Sequence, residues 1–318
     1  MSILKFTPIY MERVWGGSRL ADVYGRRLPE GKRIGESWEV VDREEAQSVV
    51  AEGPWAGQSL AELMRTNAKD LMGADWPSGL PFPILVKWLD CAKRLSLQVH
   101  PPERVAAELG GEPKTENWYV AEAAPGAGLI VGLKRGVTSA AFRDALRDKT
   151  AEALCHRFPS RPGDSLLVES GRIHAIDAGN LILEVQQNSD TTYRTYDWGR
   201  LGLDGKPRQL HLEESLKCID FTDYEPAPLT SSPDAKEQVL ADCDSFRLRK
   251  FVWEAGEEED LAPAGAASAL IHVVKGGLSR EGGELLPGET GLVPWASSGL
   301  VRASGRTTFL LTDCFAVT

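Results

Sequence analysis

Leu95-Ser96-Leu97-Gln98-Val99-His100-Pro101-Pro102 alternates apolar and polar residues until two prolines stop it. A period of two belongs to a β-strand, which sets Leu95, Leu97 and Val99 on one face and Ser96, Gln98 and His100 on the other. Surface strands turn such a polar row to water. Here the row carries an amide and an imidazole, and Lys114-Thr115-Glu116 follows a short way downstream. Lys114 and Glu116 again fall on one side of an extended segment. Together the two rows read as chemistry pointing into a β-barrel, where Gln98, His100 and Glu116 need one more histidine for a four-ligand metal site. The competing reading is a half-buried strand histidine and a surface ion pair contributing about 0–1 kcal/mol.

Composition narrows the function classes. The 36 basic residues are outnumbered by 46 acidic ones, a net charge of −10 that argues against a nucleic-acid partner. No run approaches the length of an apolar membrane span, and Met1 to Phe6 lacks the apolar core of a signal peptide. The five cysteines, Cys91, Cys155, Cys218, Cys243 and Cys314, are scattered and odd in number. Reduced thiols in the cytoplasm are therefore expected, with no cysteine ligation of metal.

With 31 glycines and 19 prolines punctuating short alternating segments, the chain is expected to be mainly β. A few packing helices are expected over the sheets. One starts at Gln58, with Ser59 and Glu62 as a capping box; a second stripe covers Thr138 to Phe158; a third follows His211. Tyr224-Glu225-Pro226-Ala227-Pro228-Leu229-Thr230-Ser231-Ser232-Pro233 reads as a linker. The resulting division is a catalytic domain over 1–224, a linker over 225–235 and a smaller β-domain over 236–318. The acidic run Glu257 to Asp260 reads as a solvated loop.

Only five histidines compete for metal: His100, His156, His174, His211 and His272. His174 follows a Pro162-Gly163-Asp164 turn, an apolar strand and Gly171, which lets the backbone turn so that the imidazole projects from a short loop. His156 is expected on a helix, His211 at a helix start, and His272 in an apolar strand without a second ligand. Two imidazoles, a carboxylate and an amide suit Zn²⁺, and in principle Fe²⁺ or Mn²⁺. Past Glu184 come Asn188-Ser189-Asp190-Thr191-Thr192-Tyr193-Arg194, whose hydroxyls, amide, carboxylate and guanidinium suit a sugar phosphate, although a strand-and-turn segment with no function would be equally polar.

Leu-Ser-Leu-Gln-Val-His-Pro, Lys-Thr-Glu-Asn-Trp-Tyr, Gly-Arg-Ile-His-Ala and Ser-Asp-Thr-Thr-Tyr-Arg occur in that order. The ordered set resembles the type I mannose-6-phosphate isomerase (phosphomannose isomerase) family in its short bacterial form. The resemblance extends from Ile9-Tyr10-Met11-Glu12-Arg13-Val14-Trp15-Gly16-Gly17 to the Leu210-His211-Leu212 segment. It implies a cupin (jelly-roll) β-barrel with a cupin-like C-terminal β-domain. It also implies a zinc enzyme, one Zn²⁺ per subunit, interconverting mannose 6-phosphate and fructose 6-phosphate through a cis-enediol. The implied zinc ligands are Gln98, His100, Glu116 and His174. Arg194 matches the family's active-site arginine, and Ser96, Lys114, Glu184 and Asp190 match pocket residues. Thr115 stands where many relatives have proline. Lys114, its pKa lowered beside a metal cation, and Asp190 are the two candidates for proton transfer, and Arg194 would serve the enediolate or the phosphate. Two other functions fit the same residues: an iron-dependent cupin oxygenase and a non-catalytic sugar-phosphate-binding cupin.

Overall fold

A computed structural model describes residues 3–261, 268–280, 283–297 and 299–316. The expected mainly-β architecture is what it shows, with antiparallel sheets and short helices. The chain packs as two compact units, one made of Tyr10–Glu36 and Trp88–Thr230, the other of Met1–Ile9, Ser37–Lys87 and Ser231–Thr318. The linear division at 225–235 thus differs from the packing. Leu4–Lys5 pairs with Thr290–Val293 in the second unit, a contact that no local sequence signal announces.

In the first unit, a five-stranded sheet has the order Cys155–Pro159, Gly128–Leu133, His174–Ile176, Leu97–Val99, Tyr193–Tyr196. Facing it, Glu116–Ala123 lies between Asp164–Val168 and Asn180–Gln187, antiparallel to both. Leu129, Val131 and Ile176 from one sheet meet Trp118, Val120, Leu166, Val168 and Ile182 from the other in a single buried core. The opposite face of the five-stranded sheet presents Leu97, Val99 and Ile130 to Phe142, Ala145 and Cys218 of two helices, Ser139–Arg147 and Leu212–Cys218. With both faces covered, its strands are largely apolar on both sides, which makes Gln98 and His174 exceptions.

Register decides where those polar residues go. On Glu116–Ala123 and Asn180–Gln187, Val120 opposes Ile182, Trp118 opposes Glu184 and Glu116 opposes Gln186. The interior row therefore runs from apolar to polar along the strands. On the other sheet His174 opposes Gln98, and Ile176 opposes Leu129. The polar ends of both rows meet, which concentrates the functional groups at one end of the sandwich.

Three local expectations are corrected. The strand expected from Leu95 covers only Leu97–Val99, and Leu95 packs between the sheets and not beneath the helices with Leu97 and Val99. The Thr138 to Phe158 stripe is a helix over Ser139–Arg147, one 3₁₀ turn over Ala151–Leu154, and then the strand Cys155–Pro159, so His156 lies on a strand. Lys149, at φ 59°, marks the break between the two helical pieces. Within the Glu257 to Asp260 run Glu258–Asp260 is exposed as expected, but it forms a strand paired with Leu300–Ala303. By contrast, Ser59 caps the Leu60–Met72 helix by accepting from the Glu62 N–H.

In the second unit a six-stranded and a four-stranded sheet enclose Phe251, Ile271, Val273, Phe309 and Leu311 with Leu278, Leu285 and Val301. His272 is buried there, its ring nitrogens 3.0 Å from Thr290 Oγ1 and 2.8 Å from Thr312 Oγ1.

Candidate active site

His100 follows the Leu97–Val99 strand, His174 opens His174–Ile176, and Glu116 opens Glu116–Ala123. One ligand atom from each lies within 4.8 Å of the other two. All three side chains are buried. His100 Nε2 is 3.2 Å from Glu116 Oε2, and His174 Nε2 is 3.6 Å from Oε1. Gln98, half-buried, brings its Nε2 to 3.2 Å from His174 Nε2 and accepts from Ser96 Oγ at 3.1 Å.

The backbone fixes each imidazole. His100 Nδ1 is 2.8 Å from the Thr191 carbonyl and His174 Nδ1 is 2.9 Å from the Arg172 carbonyl. A carbonyl only accepts, so each Nδ1 carries the proton and each Nε2 turns a lone pair inward. His174 reaches this position because Gly171 adopts φ +94°, its N–H donating to the His100 carbonyl at 2.9 Å. Trp118 packs edge-on against the His174 ring and donates its indole N–H to Glu184 at 3.0 Å.

Charge is arranged to match. Burial, reinforced by the Lys114 ammonium, pushes His100 down, and burial pushes His174 down to about 3. Both are neutral at physiological pH. Burial alone would raise Glu116, but the Lys114 ammonium holds it well below the usual carboxylate range. Lys114 Nζ is 2.8 Å from Glu116 Oε2, 3.2 Å from His100 Nε2 and 3.9 Å from Glu184 Oε1. Burial alone would lower Lys114, yet Glu116 and Glu184 outweigh it and the ammonium is held above its ordinary value.

The donor set fits a divalent cation. Both Glu116 oxygens are buried and, among the described residues, neither has a partner of hydrogen-bond geometry; the Lys114 contact is an ion pair without it. Lys114 compensates the charge of this buried carboxylate, but neither oxygen receives a directed donor, a shortfall that a cation would fill. Two inward imidazole lone pairs beside it, each ring anchored by a carbonyl, make the usual pattern of metal-binding histidines. Gln98 would serve as a ligand through its amide oxygen.

The other expected residues are close by but differently placed. Ser96, Lys114 and Glu184 are buried, and Asp190 is exposed, with its charge felt by Lys114 and Arg13. Arg194 stands directly opposite Gln98 on the strand next to it, donates to the Gln209 carbonyl at 2.9 Å and is lowered by burial. His211 stands at the start of the following helix as expected, without a side-chain capping bond, and its Nδ1 accepts from the Arg194 backbone N–H at 3.2 Å. The sequence reading did not single out the pairing of Arg200 and Arg208 with buried Asp197 on the segment that follows Arg194. Three arginines in a short glycine-containing stretch around Arg194 were the available signal.

Residues 3–143 match the family model described as "Phosphomannose isomerase type I, catalytic domain". A probable mannose-6-phosphate isomerase, GmuF, from Bacillus subtilis (strain 168) is 38% identical over 252 residues, 77% of this chain and 78% of that protein. The chain belongs to the type I phosphomannose isomerase family. The mannose-6-phosphate isomerase ManA of the same organism is 40% identical over 219 residues, 68% of each chain. The crystal structure of the mannose 6-phosphate isomerase from Bacillus subtilis superposes with a TM-score of 0.88 at 28% identity, covering 98% of this chain and 100% of that one. That agreement extends well past the 143rd residue, over nearly the whole phosphomannose isomerase chain. Among the described residues no helix is long and apolar enough to cross a membrane.

Proposed function

We propose that this protein is a zinc-dependent isomerase interconverting mannose 6-phosphate and fructose 6-phosphate through a cis-enediol(ate). The observation that carries the reading is the ionised Glu116, its oxygens without directed donors, beside the inward Nε2 atoms of His100 and His174. The relatives' names supply the substrate pair.

His100, Glu116 and His174 hold the metal, with Gln98 as the fourth ligand. Bound there, zinc supplies Lewis acidity toward a substrate oxygen. The chain's own groups do the rest. A proton leaves C2 and returns to C1, while a second proton passes between the hydroxyl and carbonyl oxygens. Lys114 and Asp190 are the two groups able to carry these protons. Lys114 sits among the ligands, and Asp190 lies within electrostatic range of it. Arg194, one strand from Gln98, faces the negative charge of the substrate. Deep burial of Ser96, Lys114 and Glu184 limits water at the reacting carbons.

The test is a coupled assay of hexose-phosphate isomerisation on the purified protein, before and after chelation and after zinc is returned. Activity that disappears and comes back with zinc is expected. Stoichiometric iron with oxygen uptake, and no isomerisation, would replace this reading by the oxygenase.

A further inference from the structure

The interior row of Asn180–Gln187 ends on Gln186, a fully buried amide directly opposite Glu116. Its Nε2 donates twice, to the Gln187 carbonyl at 2.9 Å and to the Ser189 carbonyl at 2.5 Å. Both hydrogens of the amide nitrogen are then used, and the oxygen points the other way. That oxygen, Oε1, is buried and has no hydrogen-bond partner among the described residues. Flipping the amide would set it against two carbonyls, which only accept. The chain therefore tolerates an unsatisfied buried acceptor, a destabilising feature, and in return holds two carbonyls of the turn that follows.

Directed bonds run through the whole of that turn. Ser189 N–H donates to the Gln187 carbonyl at 2.7 Å, and Thr191 N–H donates to Ser189 Oγ at 3.2 Å. Ser189 Oγ donates to the Glu112 carbonyl at 3.3 Å, and Glu112 N–H donates to Thr191 Oγ1 at 3.1 Å. Gln187 is held from the other side, its Oε1 accepting from Thr115 N–H at 2.8 Å and its own N–H donating to the Thr115 carbonyl at 3.1 Å. Two groups of the site leave this turn. Asp190 lies between Ser189 and Thr191, and it is exposed, so the backbone on either side of it carries its carboxylate. The Thr191 carbonyl, 2.8 Å from His100 Nδ1, keeps the His100 lone pair inward.

We infer that Gln186 is a positioning residue for the isomerisation: through the Gln187 and Ser189 carbonyls it sets the 187–191 turn, and so places both Asp190 and the carbonyl that orients His100. The inference rests on the isomerase reading for the role of Asp190, whereas the hold on His100 is independent of turnover. Misplacing a reacting group by about 1 Å costs on the order of 10²-fold in rate, which makes one amide enough to matter.

Two variants test it. Gln186→Met keeps the length of the side chain and removes both donors, while Ser189→Ala breaks the next link with little change of volume. Each is compared with the wild-type protein by steady-state kinetics with mannose 6-phosphate and by zinc affinity in chelator competition. In Gln186→Met, kcat per zinc-loaded site is expected to fall about tenfold or more with KM changed far less, and zinc affinity to fall about tenfold. Ser189→Ala should show a smaller drop in both. A purely structural amide would lower the unfolding midpoint and leave kcat per loaded site at its wild-type value. That outcome, with wild-type zinc affinity, overturns the inference and leaves the isomerase standing. Lowered zinc affinity in Gln186→Met, beside a wild-type protein that turns over no hexose phosphate, overturns the isomerase reading and leaves the hold on His100 standing. Should Gln186→Met not fold, Ser189→Ala decides alone: wild-type kcat and zinc affinity in that variant overturn the inference.

Discussion

Gln98 and His174 stand opposite one another on neighbouring antiparallel strands, their Nε2 atoms 3.2 Å apart. On its other side the Leu97–Val99 strand sets the same Gln98 opposite Arg194. One half-buried amide therefore joins the metal-binding end of the pocket to its guanidinium. A one-residue slip would turn Gln98 toward the helices and Leu97 or Val99 into the pocket. The buried apolar contacts of Leu97 and Val99 oppose that slip, so packing on one face fixes chemistry on the other.

Removing His174 takes away one of two inward lone pairs. His174→Ala is expected to lose metal and activity together, by more than the roughly 10–100-fold in metal affinity typical of losing an outer partner. Metal-to-protein ratio by mass spectrometry checks this, and an unchanged ratio removes His174 from the ligand set.

Arg194→Ala leaves the ligand cluster untouched. It should retain metal while kcat drops by about 10²–10³-fold, the scale of losing one electrostatic donor to the reacting charge. Wild-type turnover in this variant would discard the role assigned to Arg194.

Gly171 sits at φ +94°, and a Cβ added there would lie 3.1 Å from the Cys218 carbonyl oxygen. Gly171→Ala should cost about 1–3 kcal/mol of stability. Because the same turn delivers His174, metal occupancy should fall too. Denaturant unfolding and metal analysis on one sample decide whether both effects appear.

His272 gives a pH prediction in the second unit. Burial pushes it down to about 3 from an ordinary 6.5, so the folded protein keeps it neutral. Below pH 6.5 the unfolded chain binds a proton that the folded chain refuses. The contribution is therefore intact above pH 6.5 and is lost as the pH drops toward 3, by about 1.4 kcal/mol per pH unit. Unfolding free energies at pH 7, 6 and 5 should show the slope, and His272→Gln should flatten it by about that amount.

How far the sequence could be read follows from the range of the interactions. Alternation within Leu97–Val99 and Asn180–Gln187, and the Ser59 cap, are local and were legible in residue order. Gln98 and His100 share one segment, but Glu116 and His174 lie further along the chain, and the ordered motifs, not spacing alone, joined the four. The 151–159 stretch misled because Leu154 continues the helical stripe, while strand pairing with Gly128–Leu133 overrides propensity. Pairing of Leu4–Lys5 with Thr290–Val293 and the sharing of Asp197 by two arginines have no local signature. The approach of Glu184 to Lys114 also has no local signature, because Glu184 arrives from another strand.

Lys114 has one more consequence. Its ammonium, 2.8 Å from Glu116, acts as a placeholder charge in the pocket and keeps the carboxylate from standing alone. A barrel balanced in this way does not depend on its ion to remain folded. Stripping and reloading should be repeatable cycles of one intact scaffold, in contrast to small zinc domains that collapse when emptied.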